Sequence, residues 1–349
     1  MRRLLGHIMM IGACAGFSIS GSAQGLSIGK YAGEFMSIGV GGRALAMGGA
    51  YSALATDATG GYWNPAAIAW VDYPQIFAMH DSRFAGIENY DYGAVLIPYG
   101  SNATVGISIL RLGVDGIPDT RNAALDANGN HVPVFQQDGS IDYASVSYFN
   151  AADWAMYFSY GKRASDDFSY GANVKLIRRS LGDAGAFGIG FDAAVLYKAT
   201  NELTLAANAQ DVTTTLLAWS TGTKELISPT LKLGAAYVLL IGTKHRIIPA
   251  CDLDVRFENR QFASMAHLGP VSIDPHVGFE YTYNRAVSIR AGINDIKQWT
   301  VGAGVKLPKL NLDYSYTNYL SDPAEQLGAT HRISLMVTLE EARWGRVTN

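Results

Sequence analysis

The sequence predicts an all-β protein, a 14-stranded antiparallel transmembrane β-barrel, and three observations carry that reading. Fourteen stretches alternate with a period of two, the clearest have one face free of Asp, Glu, Lys and Arg, and six short connections alternate with seven longer ones. Tight turns on one side and loops on the other are the pattern of an even-stranded barrel standing in a bilayer. Beyond the amino-terminal leader no stretch approaches the roughly 20 apolar residues that a spanning helix needs. A spanning sheet must then close, because hydrocarbon tolerates no open edge.

The first element, residues 1–24, reads as a secretory signal peptide. Arg2 and Arg3 lead, an apolar stretch runs from Leu4 to Ile19, and the small residues Gly21, Ser22 and Ala23 offer a cleavage site. His7 and the small or hydroxyl residues speak against a membrane anchor. Ile11-Gly12-Ala13-Cys14 leaves lipid modification at Cys14 as an alternative. After cleavage Cys251 is the only cysteine, which excludes an intramolecular disulfide. A net charge of -3 with no long run of one sign carries no footprint for nucleic acid.

Residues 25–73 are expected to form a hatch inside the barrel, because fourteen strands enclose a lumen too wide for inward side chains alone to fill. Gly39, Gly41, Gly42, Ala44, Ala46, Gly48, Gly49 and Ala50 let backbone approach backbone, and Arg43 and Asp57 can find luminal partners. The barrel itself spans 74–339. Its strands are expected at 74–82, 89–99, 103–112, 151–162, 168–179, 186–198, 202–212, 229–240, 245–257, 272–283, 286–293, 298–306, 310–319 and 330–339, followed by a periplasmic tail, 340–349.

Within these strands Val277, Phe279, Tyr281 and Tyr283 oppose His276, Gly278, Glu280 and Thr282, and Ile333, Leu335 and Val337 oppose Arg332, Ser334 and Met336. A charge facing lipid at mid-depth costs ~2–4 kcal/mol, so a bilayer enforces one clean face. A soluble β-sandwich also alternates. Aromatic residues at strand ends, among them Trp154, Tyr160, Tyr170, Tyr197, Trp299 and Tyr319, suit interfacial girdles instead. The short connections, such as Gly100-Ser101-Asn102 and Asn284-Arg285, would be periplasmic turns, which places both termini in the periplasm. The connections 113–150, 213–228, 258–271 and 320–329 would face outside.

On the luminal faces Asp252, Asp254, Arg256, Glu280, Arg290, Lys306, Asp313 and Arg332 suggest a mixed-sign ladder. Bracing of wall and hatch is one reading, since buried charges need partners; an aqueous pore is the other. Luminal glycines (Gly106, Gly171, Gly188, Gly190, Gly234, Gly278, Gly302, Gly304) leave room for the hatch or let the wall bend.

Other motifs carry less. Gly39-Val40-Gly41-Gly42-Arg43-Ala44 fits a loose dinucleotide pattern, but no βαβ unit follows. Asp126-Ala127-Asn128-Gly129-Asn130 starts like a calcium loop, yet His131 stands where glycine is needed and no acidic residue closes it. The seven histidines show no metal spacing, and His276 and His331 are placed on luminal faces. No Ser and His pair selects itself for catalysis, so the reading is non-enzymatic, without cofactor or metal.

Ile38-Gly39-Val40-Gly41-Gly42-Arg43-Ala44, Met47-Gly48-Gly49-Ala50-Tyr51, Asp57-Ala58 and Tyr62-Trp63-Asn64-Pro65-Ala66 resemble the opening of the PorV/PorQ family of outer-membrane barrels, relatives of the FadL fatty-acid channels. Later segments such as Leu231-Lys232-Leu233-Gly234 and Leu312-Asp313-Tyr314-Ser315-Tyr316 look similar to that family's strands, so the resemblance spans nearly the whole mature chain. Ala67 departs from a common Gly, and the chain continues as 340–349 where such barrels commonly end on an aromatic residue. The resemblance implies a 14-stranded barrel with an amino-terminal hatch in the outer membrane of a Gram-negative bacterium. It implies partners too: membrane lipid, the carboxy-terminal signal domains of secreted proteins, and the machinery of type IX secretion. The kinship with FadL implies the alternative, a channel for long-chain fatty acids or other hydrophobic small molecules. Leu216, Leu217 and Trp219, in an expected outer loop, are then candidate hydrophobic contacts.

Overall fold

A computed structural model describes residues 26–28, 33–133, 139–258, 264–320 and 329–346. The signal peptide, with Cys14, lies outside the described residues. Fourteen antiparallel strands form the wall: β1 Gln75–Arg83, β2 Glu88–Tyr99, β3 Ala103–Asp119, β4 Ser147–Arg163, β5 Phe168–Leu181, β6 Ala184–Lys198, β7 Leu203–Gln210, β8 Thr230–Tyr237, β9 His245–Arg256, β10 Val271–Tyr283, β11 Val287–Ile293, β12 Gln298–Leu307, β13 Leu310–Tyr319 and β14 Thr330–Thr338. Each pairs with its neighbours in sequence, and β14 returns to β1 through Gln75 opposite Thr338 and Ser82 opposite His331. The barrel is therefore closed, as the alternation predicts.

Strand period sorts side chains between lipid and lumen. On β11 Ile289 is 58% exposed while Arg290 is 7% exposed, and the same inversion of an ordinary soluble core holds on β10, where Val277 and Phe279 are exposed and Glu280 is buried. Apolar residues outside and charges inside make sense only against hydrocarbon.

Several boundaries differ from expectation. Strands β3 and β4 continue beyond 112 and before 151, with a register shift between Val114 and Ile117, so the connection shrinks to residues 120–146 and carries a small hairpin pairing Ala124–Leu125 with Ser140–Ile141. Pairing of Pro118 with Tyr148 extends the ladder because backbone hydrogen bonds do not end where the apolar pattern does. The turn between β5 and β6 has only two residues, Gly182 and Asp183, so not every connection on that side is long.

Outward charge also appears on the first strands. His80, Asp91, Arg111, Trp154 and Arg178 lie opposite one another across β1 to β5, with His80 Nδ1 2.7 Å from Asp91 and the Arg111 guanidinium over the Trp154 ring. They crown the apolar rows Val105-Ile107-Ile109 and Val174-Leu176, as an interfacial girdle does. His331 belongs to this outer surface as well. It is exposed and hydrogen-bonded to Tyr314 at 2.8 Å, which corrects its luminal placement: it has the parity of outward Ile333.

Leu216, Leu217 and Trp219 are not in a loop. Thr215–Trp219 is a strand that pairs with Ala186–Ile189 of β6 and with Lys224–Ile227, and so raises the wall. Leu217 is fully buried on the inside, Leu216 faces out, and Trp219 packs against the core. An apolar run of period two next to an exposed edge pairs with it sooner than it hangs in solvent.

Candidate functional site in the lumen

The lumen is occupied by residues 33–73. Gly39 and Gly41 adopt φ of +92° and +89°, angles that L side chains rarely take, and so start the five-residue helix Gly42–Ala46. A β-carbon at Gly42 would stand 3.0 Å from the Asp313 carbonyl oxygen on β13. The wall is cut to match. At Gly278 a β-carbon would lie 2.7 Å from that of Met47, at Gly302 2.5 Å from that of Ala46, and at Gly161 2.5 Å from the Pro65 carbonyl oxygen. Gly171 and Gly234 likewise face Pro65 and Ser52, whereas Gly106, Gly188, Gly190 and Gly304 make room for wall side chains.

Aromatic residues tie the segment to itself. Trp63 Nε1 donates to the Val40 carbonyl at 2.9 Å, Tyr62 donates to the Met36 carbonyl, and the Tyr62 and Trp63 rings meet edge to face at 5.0 Å. Each such fully buried side chain stabilises by ~1.5–3 kcal/mol. Burial pushes the Tyr51 and Tyr62 phenols far above their ordinary range, so both remain neutral donors. Asn64 is extended before Pro65, as a residue preceding proline must be. Its side chain donates to the Ser52 and Val195 carbonyls at 3.2 Å.

The luminal charges divide into separate sets rather than one ladder. In the first, Arg43 grips both oxygens of Glu280 at 2.7 and 2.8 Å and reaches the Tyr51 hydroxyl at 3.0 Å. Tyr51 donates to Asp57 at 2.6 Å, while Arg290 bridges Glu280 at 2.6 Å and Asp313 at 2.7 Å. In the second, Asp254 receives Lys232 and Arg256, and Arg256 extends to Asp274 and Asp295. Asp252 instead accepts from the backbone N–H groups of Tyr51 and Ser52, and Arg332 pairs with Asp81 at 2.7 Å. Lys306 faces the lumen but is exposed and has no ion pair among the described residues. Sharing a face does not fix register between distant strands, which is why the ladder resolves into clusters. Arg43 with Glu280 and Asp252 with the Tyr51 and Ser52 backbone tie the segment to the wall, while the other pairs join wall residues to one another.

Sequence reasoning misses two features. Lys175 on β5 bridges Asp192 at 2.8 Å and Asp211 at 2.7 Å. Asp211 reaches it through a bulge: seven residues separate Ala209 from Leu216, while four separate their partners Ala193 and Ile189. Lys175 shares luminal parity with Asp192, a signal that was readable; the bulge was not. In the tail, Arg346 donates to the carbonyls of Ala69 at 2.9 Å and Ala103 at 2.7 Å and to the Thr104 hydroxyl at 2.8 Å, clasping the exit of the luminal segment to β3. His276, expected on the luminal face, binds the Gly48 carbonyl through Nδ1 at 2.7 Å and so joins the wall to the segment.

Above the segment, on the side of the longer loops, a cavity of about 290 Å³ is lined by Phe35, Ile38, Leu45, Trp63, Leu112 and Ile296 together with charged residues that include Arg83 and Arg256. Glu34 also lines it, its pKa raised by burial. Among the described residues no acidic, His or Cys cluster could hold a metal ion. Asp126 accepts from the N–H groups of Asn128 and Asn130 at 2.8 Å, an exposed Asx turn.

The closed 14-stranded antiparallel barrel is a fold of the FadL-like class. Solved structures share it: the Pseudomonas putida toluene transporter TodX (12% identity, 87% of this chain and 99% of that one, TM-score 0.58), the Ralstonia pickettii toluene transporter TbuX (13%, 86% and 97%, 0.54) and a Pseudomonas aeruginosa FadL homologue (13%, 85% and 96%, 0.50). At these identities the likeness is one of fold. No family model and no curated protein matches the sequence.

Proposed function

We propose that this chain is an outer-membrane barrel that takes up a small hydrophobic molecule into the cavity above its luminal segment. The cavity carries the reading. Its volume lies at the lower end of the ~300–1,000 Å³ usual for ligand pockets, and apolar side chains line it among fixed charges. The barrels that share its fold with TM-scores above 0.5 include two described as toluene transporters. The short turns and both ends of the described barrel chain then face the periplasm. Trp63 in the cavity wall reports directly: toluene or oleate added to the purified barrel should quench its fluorescence, and Leu45→Trp, which fills the cavity, should abolish that response and uptake by cells. Equal uptake by the variant would reject the cavity as the entry site.

Capture of secreted proteins in type IX secretion is the second reading. It rests on the PorV/PorQ-like amino-terminal motif and on the β3 and β4 hairpin, which carries exposed Tyr143 and Tyr148 at its outer end. Deleting 120–146 should abolish cargo capture while leaving the barrel folded; capture that persists removes the hairpin from that role.

A further inference from the structure

At the mouth formed by the short turns, a second cavity of about 420 Å³ opens between β9 and β13. Its floor is the paired set of Arg43, Glu280, Arg290 and Asp313, already neutralised within itself. Its rim is different. Arg246 on β9, Arg285 in the turn before β11 and Lys306 on β12 line the same cavity, and none of them has an ion pair or side-chain hydrogen bond among the described residues. Five cationic side chains therefore face two carboxylates, an excess of three positive charges in one concave space.

Gathering like charges is unfavourable unless an opposite charge joins them, and low-dielectric walls focus the resulting field outward into the mouth. Two of the three rim cations are arginines, whose planar forks match the oxygens of phosphate and carboxylate in a bidentate way. Beside them the inward-facing Leu240 is 71% exposed, and Val238 also lines the space, so apolar surface adjoins the charge.

We infer that this mouth is an oxyanion-binding site, formed by Arg246, Arg285 and Lys306, that takes a phosphate or carboxylate group, with Leu240 and Val238 accepting an attached short chain. The site is separate from the cavity on the loop side and does not depend on it. The test is calorimetric titration of the full-length barrel, in a neutral detergent, with hexyl phosphate, inorganic phosphate and hexanol. Hexyl phosphate should bind one per barrel, weaken as salt is raised, and lose about tenfold or more in affinity in Arg246→Gln/Lys306→Gln. Arg285→Gln, in an exposed turn, should weaken it without any change in melting and so separates binding from folding. If inorganic phosphate binds as well as hexyl phosphate, the site serves a free anion; if only hexyl phosphate binds, it serves the head group of an amphiphile. Binding of hexanol alone, or hexyl phosphate binding unchanged by all three substitutions, overturns the proposal.

Discussion

Arg43 and Glu280 lie 237 residues apart, and two hydrogen bonds of 2.7 and 2.8 Å join them, linking the segment inside the barrel to the wall on β10. Glu280 also serves Arg290, so the three groups are not equivalent. Removing the carboxylate takes from half-buried Arg43 its ion-pair partner and leaves buried Arg290 with Asp313 alone, whereas removing Arg43 leaves Glu280 paired with Arg290. Glu280→Ala should therefore cost ~3–5 kcal/mol, the usual penalty for breaking a buried pair, and Arg43→Ala distinctly less. Denaturant unfolding of the two variants in the same detergent measures the order; a reversed order would contradict the assignment.

Arg43 is the only Lys or Arg between residues 33 and 73, which makes trypsin a probe of how the segment sits. In the native barrel it is held against Glu280 and should resist cleavage. Gly278→Val places side-chain atoms where the Met47 backbone lies, so the segment should shift and Arg43 become cleavable. Continued protection at equal protease would show that the wall yields instead.

The tail offers a milder lever. Arg346→Ala removes donors to Ala69, Val71, Ala103 and Thr104, on the order of 1 kcal/mol per bond. Hydrogen exchange should rise at 69–73 and stay unchanged at Gly42–Ala46, which is anchored elsewhere. A uniform rise along the whole segment would mean that the tail holds the fold, not one end of it.

Acid should tighten the loop side of the barrel. Burial pushes Glu258 up to about 7 against the opposing pull of Arg256, and burial also raises Glu34. A carboxyl with a raised folded-state pKa binds extra protons when folded, so its contribution is complete below the ordinary glutamate value and is lost as pH climbs through about 7. Between pH 5 and 8 the protection of residues 257–258 against exchange, taken relative to the base-catalysed rate of an unfolded peptide, should fall, and Glu258→Gln should flatten that dependence. The same slope in the variant would assign it to another group.

Depth in the bilayer gives a test of the outer face. Ile289→Arg, in the exposed row of β11, should cost ~2–4 kcal/mol, while Phe187→Arg, level with outward Arg178, should cost ~0–1 kcal/mol. Refolding into liposomes from denaturant yields both values. Equal penalties would place the hydrocarbon elsewhere.

Phe279 and Glu280 fall on opposite faces from period alone, because alternation is a property of a single strand. His331 was misplaced although its parity with Ile333 was readable. The pairing of Arg43 with Glu280 was suggested only as a charge in search of a partner.

The sequence by itself determined that the chain closes into fourteen strands, which side chains meet lipid, and that small residues crowd the amino-terminal stretch, since each follows from local period, composition and the cost of charge in hydrocarbon. Only the tertiary structure decided that Asp211 bulges inward to Lys175, that Leu217 belongs to the wall, that Lys306 stands apart from the buried pairs, and that Arg346 returns to the exit of the luminal segment. Those depend on register between strands and on contacts across hundreds of residues, where geometry in three dimensions, and not the spacing of letters, sets which groups can reach each other.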